Sequence, residues 1–174
     1  MKIFTFISFV FIFFSTVSYS SNIVEIYLLN NLDDERGYCL DIKGHKNKAK
    51  IEKGMQAHTC YSYQGVIAVD QGFDKAKLTN SIFFIPGFSA CMKTLIDNQV
   101  TKIILDRCNE RSSQYLVLSK TGQIHLARDK SLCLTVSNKN PRKGKGGLPL
   151  HNIRNIEFQN CKKNMLNFQL WGIR

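Results

Sequence analysis

Six cysteines, Cys39, Cys60, Cys91, Cys108, Cys133 and Cys161, constrain the fold of this 174-residue chain more than any other feature. No two of them form a C-x-x-C pair, so the spacing of a zinc ribbon or a thioredoxin-like redox centre is absent. Neither a metal nor a cofactor is expected. Their order carries a second pattern, three segments of similar grammar. Each opens on a cysteine followed by an apolar residue, in Cys39-Leu40-Asp41-Ile42, Cys91-Met92-Lys93-Thr94 and Cys133-Leu134-Thr135-Val136. Each reaches a second cysteine and closes on a glutamine two residues before a bulky apolar side chain, Gln71 before Phe73, Gln114 before Leu116 and Gln169 before Trp171. A threefold internal repeat, with units of about 22–75, 76–118 and 119–174, accounts for the length without a spare domain. Six cysteines still allow 15 pairings, and spacing alone does not choose among them.

Residues 1–20 read as a secretory signal peptide. Lys2 precedes an apolar run from Ile3 to Phe14, and Ser18 and Ser20 supply the small residues of a cleavage site. That run is too short to cross about 30 Å of hydrocarbon as a helix, and no second one follows. The expected product is an exported protein, secreted or periplasmic, with no transmembrane segment. Export into an oxidising compartment makes disulfides the expected state of the cysteines.

Short runs rich in Ile, Val, Phe and Tyr recur along the chain, at 23–29, 38–42, 65–69, 82–85, 101–105, 115–118, 123–126 and 132–136, and turn-forming residues separate them. No long stretch keeps a helical period. An all-β barrel or sandwich is the expected class, with Lys120-Thr121-Gly122 as a hairpin turn and Asp33-Asp34-Glu35 in another.

The Cys-Leu-Asp-Ile and Cys-Leu-Thr-Val segments and the closing Gln-x-aromatic units resemble the ricin B-type (R-type) lectins over residues 22–174. That resemblance implies a β-trefoil of three pseudo-symmetric, disulfide-stapled repeats, with Phe73, Leu116 and Trp171 in a shared core. It also implies pairing within each unit, Cys39–Cys60, Cys91–Cys108 and Cys133–Cys161, where each closed loop contributes on the order of 3 kcal/mol in the chain-entropy model.

The resemblance further implies a sugar site in any unit that pairs an acid after Cys-Leu with a ring two residues before the second cysteine. Vicinal hydroxyls suit a carboxylate's paired acceptors, and the C–H face of a pyranose suits a flat platform. The first unit fits in part: Asp41 takes the acid position, His58 the ring position, and Gln56, Asp70 and Gln71 stand where orienting partners are expected. Imidazole is a smaller platform than indole, so weak binding near the millimolar range follows. Lys93 with Asp106, and Thr135 with Gln159, leave the other two units without a site. Tyr61 and Tyr63 are candidates for the missing platform.

The net charge is +11. Two clusters hold much of it, Lys43, Lys46, Lys48 and Lys50 in the first unit and Lys139, Arg142, Lys143 and Lys145 in the third. Solvated turns explain them; so does attraction to a polyanion. Glycans or acidic polysaccharide are therefore the expected partners, with nucleic acid ranked last because no recognition motif is present. The alternative is a trefoil scaffold without sugar specificity that binds anionic polymers, envelope components or a protein through its basic loops. Nucleophile-elbow and metalloprotease signatures are absent, so a monomeric binding module rather than an enzyme is expected.

Overall fold

The computed structural model describes residues 22–98, 100–109, 111 and 115–174; the expected leader and Gln114 lie outside the described residues. The fold is all-β, and its repeating element is a disulfide-closed hairpin. β2 (Tyr38–Ile42) pairs with β3 (Met55–Thr59), β6 (Ala90–Asp97) with β7 (Val100–Arg107), and β10 (Asp129–Val136) with β13 (Ile156–Asn160). Register is the same in all three: Cys39 faces His58, Cys91 faces Asp106, and Cys133 faces Gln159. The second cysteine of each unit stands one residue past the hairpin, and the disulfides Cys39–Cys60, Cys91–Cys108 and Cys133–Cys161 tie each hairpin to itself.

Shorter strands join the hairpins. β1 (Ile23–Leu28) pairs with β2, with β4 (Gly72–Asp74) and with the last strand β14 (Trp171–Ile173), so the two ends of the described chain meet. β5 (Phe84–Ile85) pairs with β6, while β8 (Leu116–Leu118), β9 (Ile124–Leu126) and β10 run in sequence order in one sheet. The β8–β9 turn is the expected Lys120-Thr121-Gly122. Gly122 adopts φ 90°, and its carbonyl accepts from the Trp171 backbone N–H at 2.6 Å.

The core is assembled from equivalent positions. Leu40, Met92 and Leu134, each next to a first cysteine, are fully buried, as are Phe73 and Leu116; Trp171 is 1% exposed and donates its indole N–H to Leu134 O at 3.0 Å. Ile26, Leu28, Ile85, Ile124 and Val136 fill the remaining space. Burial of apolar area from all three units into one cluster is what holds them together.

Two expectations about strands are corrected. The run 65–69 is a loop, because Gly65 at φ 87° closes a 3-10 turn (Ser62–Gln64) and leaves Val66 and Val69 exposed. Met55–Thr59 and Ile156–Asn160 are strands despite their polar residues, since hairpin pairing rather than residue propensity decides there. Truncating the shared core is the direct test: Trp171→Ala is expected to lower the urea-derived unfolding free energy by about 3–5 kcal/mol. A loss below about 1 kcal/mol would remove Trp171 from the core.

Candidate functional site

In the third unit the link between β10 and β13 does not stay with its own hairpin. It forms β11 (Arg142–Lys143) and β12 (Asn152–Arg154), and β12 docks on β3 of the first unit, with Ile153 opposite His58 and Arg154 opposite Ala57. A polar cluster fixes this arm. The Asn152 N–H donates to Thr59 Oγ1 at 2.8 Å, and Thr59 Oγ1 donates to Asp34 Oδ2 at 2.7 Å. Arg36 grips both oxygens of Asp34 at 2.8 Å and donates to the carbonyls of Pro149 and Leu150. Arg154 bonds Asp33 at 2.7 Å and the carbonyls of Ser137 and Lys139. Burial raises the carboxyls of Asp33 and Asp34, but hydrogen bonds from Arg154 and from Arg36 outweigh it and leave both below the usual range.

Between this arm and the first-unit loop lies a cleft of about 700 Å³. Gly44, His45 and Lys46 form one wall and Arg142–Gly147 the other, over a floor that includes His58, Tyr61 and His151. The walls depend on glycine in two places. A Cβ on Gly44 would fall 2.4 Å from Ala49 Cα, and one on Gly147, at φ 87°, 2.5 Å from the His151 ring. Lys46 sits at φ 47°, in the left-handed region, and its backbone N–H donates to the Asp70 carboxylate.

The floor rings pack on one another. His58 stacks on Tyr61 at 5.2 Å between centroids, and His151 meets both edge-on at 5.0 and 5.1 Å. The Nδ1 of His58 lies 2.8 Å from Thr59 O, and a carbonyl accepts, so Nδ1 carries the proton. Burial lowers the His58 pKa to about 4, so the ring is neutral and its Nε2 is an acceptor. Burial, followed by the positive charge of Arg36, likewise lowers His151. Among the described residues neither His58 Nε2 nor the Tyr61 hydroxyl has a protein partner; the two residues are 5% and 4% exposed and line the cleft. Sequence reading treated Tyr61 as a spare platform and missed His151; the glycines and basic residues before His151 were the available signal.

Asp41, Gln56 and Gln71 are brought together as expected, but not at the cleft surface. Asp41 is 1% exposed, Oδ1 accepts from Gln56 Nε2 at 2.7 Å and Oδ2 from Gln71 Nε2 at 3.2 Å. The expected role of Asp41 as an acceptor for sugar hydroxyls is therefore corrected to a buried structural one. Gln71 bridges strands, accepting from the Tyr61 N–H at 2.9 Å and donating to Thr59 O at 3.2 Å. Gln169 does the same in the third unit, accepting from the Lys162 N–H and donating to Asn160 O and to Thr135 Oγ1. Thr135 thus occupies the Asp41 position with the same partner and no charge. Asp70 is fully buried as well, with Oδ1 unpartnered. Burial first and the Asp70 charge second push the Asp41 carboxyl well above its ordinary value. In the second unit, buried Lys93 instead bonds the exposed Asp106 at 3.1 Å.

Of the eight basic residues singled out in the sequence, Lys46, Arg142, Lys143 and Lys145 line the cleft; Lys43, Lys48 and Lys50 share the loop that carries Lys46, and Lys139 lies outside the lining. A compact group of metal-ligating types, Glu25 with Cys39 and Cys60, has its sulfurs committed to a disulfide and its carboxylate paired with Arg174 at 3.1 Å. No helix among the described residues is long and apolar enough to cross a membrane.

No known family model matches the chain, and no curated protein matches it. Among solved structures it is similar to the solution structure of the mdaA-1 domain, with a TM-score of 0.54 at 16% identity over 87% of this chain and 88% of that one. At that identity the likeness concerns the fold alone.

The shared arrangement of Asp41 and Thr135 generates a pH prediction. A carboxyl whose folded pKa is raised stabilises fully below its unfolded pKa, about 3.9, and loses that contribution as pH rises through the folded value. Asp41→Thr is expected to fold. The unfolding free energy of the wild type relative to that variant is expected to fall between about pH 4 and about pH 7, by at most about 1.4 kcal/mol per pH unit. A difference that rises over this range contradicts the assignment.

Proposed function

We propose that the chain is an exported carbohydrate-binding module built as a β-trefoil, with its binding site in the cleft between the first-unit loop and the third-unit arm. The trefoil reading is supported by three hairpins in the same register, by Gln71 and Gln169 bridging equivalent backbone groups, and by Phe73, Leu116 and Trp171 meeting in one core. Export is supported by three disulfides and by the leader-like start of the sequence.

One observation carries the site. Among the described residues His58 Nε2 and the Tyr61 hydroxyl have no protein partner, and both residues, largely buried, are part of the cleft floor. Both atoms open onto the cleft, where water bonds them, and a ligand hydroxyl can take the place of that water. An acceptor beside a group that both donates and accepts suits a sugar's adjacent hydroxyls, each of which also does both. Weak affinity is expected, because the rings offer the ligand edges rather than an open face. A binding role rather than catalysis fits the buried carboxylates: Asp41 and Asp70 are engaged inside the protein and do not reach the cleft surface.

Tyr61→Phe keeps the ring and removes one hydroxyl. It is expected to weaken binding to a glycan selected from an array by roughly threefold to tenfold, as for the loss of one neutral hydrogen bond, with the melting temperature unchanged. Unaltered binding would move the site away from this cleft.

A further inference from the structure

The cleft walls say what kind of saccharide the site takes, an inference that rests on the glycan-binding reading. Lys46, Arg142, Lys143 and Lys145 line the cleft together with His45, and no carboxylate is among the lining residues. Lys143 Nζ is occupied by Asn152 Oδ1 at 2.7 Å. The other three cations have no carboxylate partner among the described residues. Lys46 Nζ lies over the Tyr61 ring, 5.4 Å from its centre, while Arg142 and Lys145 stand exposed on the opposite wall. Five basic groups outside the cleft are in ion pairs, Arg36 with Asp34, Arg154 with Asp33, Arg174 with Glu25, Lys93 with Asp106 and Lys102 with Asp97; what distinguishes the cleft cations is their convergence on one concave surface that has no carboxylate in its lining. The cations left unmatched around the cleft are brought together by the fold, because Lys46 and Arg142 belong to different units and meet through the docking of β12 on β3.

We propose that the ligand is a saccharide carrying an anionic substituent, a sulfate, phosphate ester or carboxylate, whose hydroxyls bond His58 and Tyr61 while its charge sits between Lys46 of the first unit and Arg142 and Lys145 of the third. The division of labour is physical. Unpaired cations at a rim attract any anion and raise the encounter rate, whereas the directed acceptor and hydroxyl at the floor require a sugar. The neutral state of His58 keeps its Nε2 free to accept from a hydroxyl even beside this positive charge.

The test is a binding array of neutral oligosaccharides, each printed beside its monosulfated, monophosphorylated or uronate counterpart, with inorganic polyphosphate as a polyanion that offers no sugar. At a fixed physiological salt concentration, the anionic member of at least one pair is expected to bind roughly tenfold more tightly than its neutral parent, about 1.4 kcal/mol. The three derivatives tell which anion is preferred. The exposed triple variant Lys46→Gln, Arg142→Gln, Lys145→Gln is expected to erase the difference between the anionic member and its neutral parent, with the melting temperature unchanged. Equal binding of neutral and anionic members overturns the inference and leaves glycan binding in place. Polyphosphate bound as tightly as the best saccharide, without effect of Tyr61→Phe, also overturns it, in favour of unspecific charge attraction. No signal from any saccharide overturns both this inference and the reading on which it rests.

Discussion

The hydrogen bond from the Asn152 N–H to Thr59 Oγ1, beside the pairing of β12 with β3, fastens the third-unit arm over the first unit, and the cleft depends on it. Thr59 is fully buried and passes its own proton to Asp34, which is held in turn by both arms of Arg36. Arg36 returns to the third-unit arm through the carbonyls of Pro149 and Leu150. A closed ring of charged and neutral partners thus pins a glycine-rich, strongly basic segment that would otherwise be free in solvent. Because the Asp34 carboxylate is buried and the Arg36 guanidinium half-buried, removing one member would strand the others at a cost above that of losing an exposed ion pair.

What repeats between the units builds the core, and what does not repeat builds the cleft proposed as the binding site. The hairpins, the within-unit disulfides and the bridging glutamines repeat, and these features build the core. The units differ at the residue facing the first cysteine, at the position held by Asp41, Lys93 and Thr135, and in the hairpin connections. His58, Asp106 and Gln159 occupy one equivalent position, yet the first of these alone lies under a neighbouring unit's arm. The same comparison explains Asp41. Thr135 gives Gln169 an acceptor without any charge, so the acid in the first unit fills a structural slot and pays for its burial with a raised pKa rather than by touching a ligand.

Much of the scaffold was legible because it is written locally. Cysteine followed by an apolar residue marks the first strand of each hairpin, and Gln71 and Gln169 with their apolar partners mark the close of the first and third units. The apolar-rich run 23–29 coincides with β1. Met55–Thr59 was not legible, since Gln56, His58 and Thr59 look solvent-facing until the cross-strand partners Asp41, Cys39 and Tyr38 are known. The site was legible in pieces: His58 and Lys46 were singled out in one segment, and Arg142, Lys143 and Lys145 in another. Nothing in either segment encodes that Ile153 pairs with His58, a contact between distant parts of the chain that depends on the whole fold. His151 entered for the same reason.

The central claim is that one cleft, shared by the first and third units, is the place where ligand binds. Backbone amide chemical shifts followed during titration with the best array saccharide test it most directly. The account predicts perturbations concentrated at Lys46, Tyr61, Gly144, Gly146, Gly147 and His151, from both sides of the unit boundary at one common midpoint. Perturbations centred instead on Asp106 or Gln159, the equivalent positions of the other two units, would contradict it.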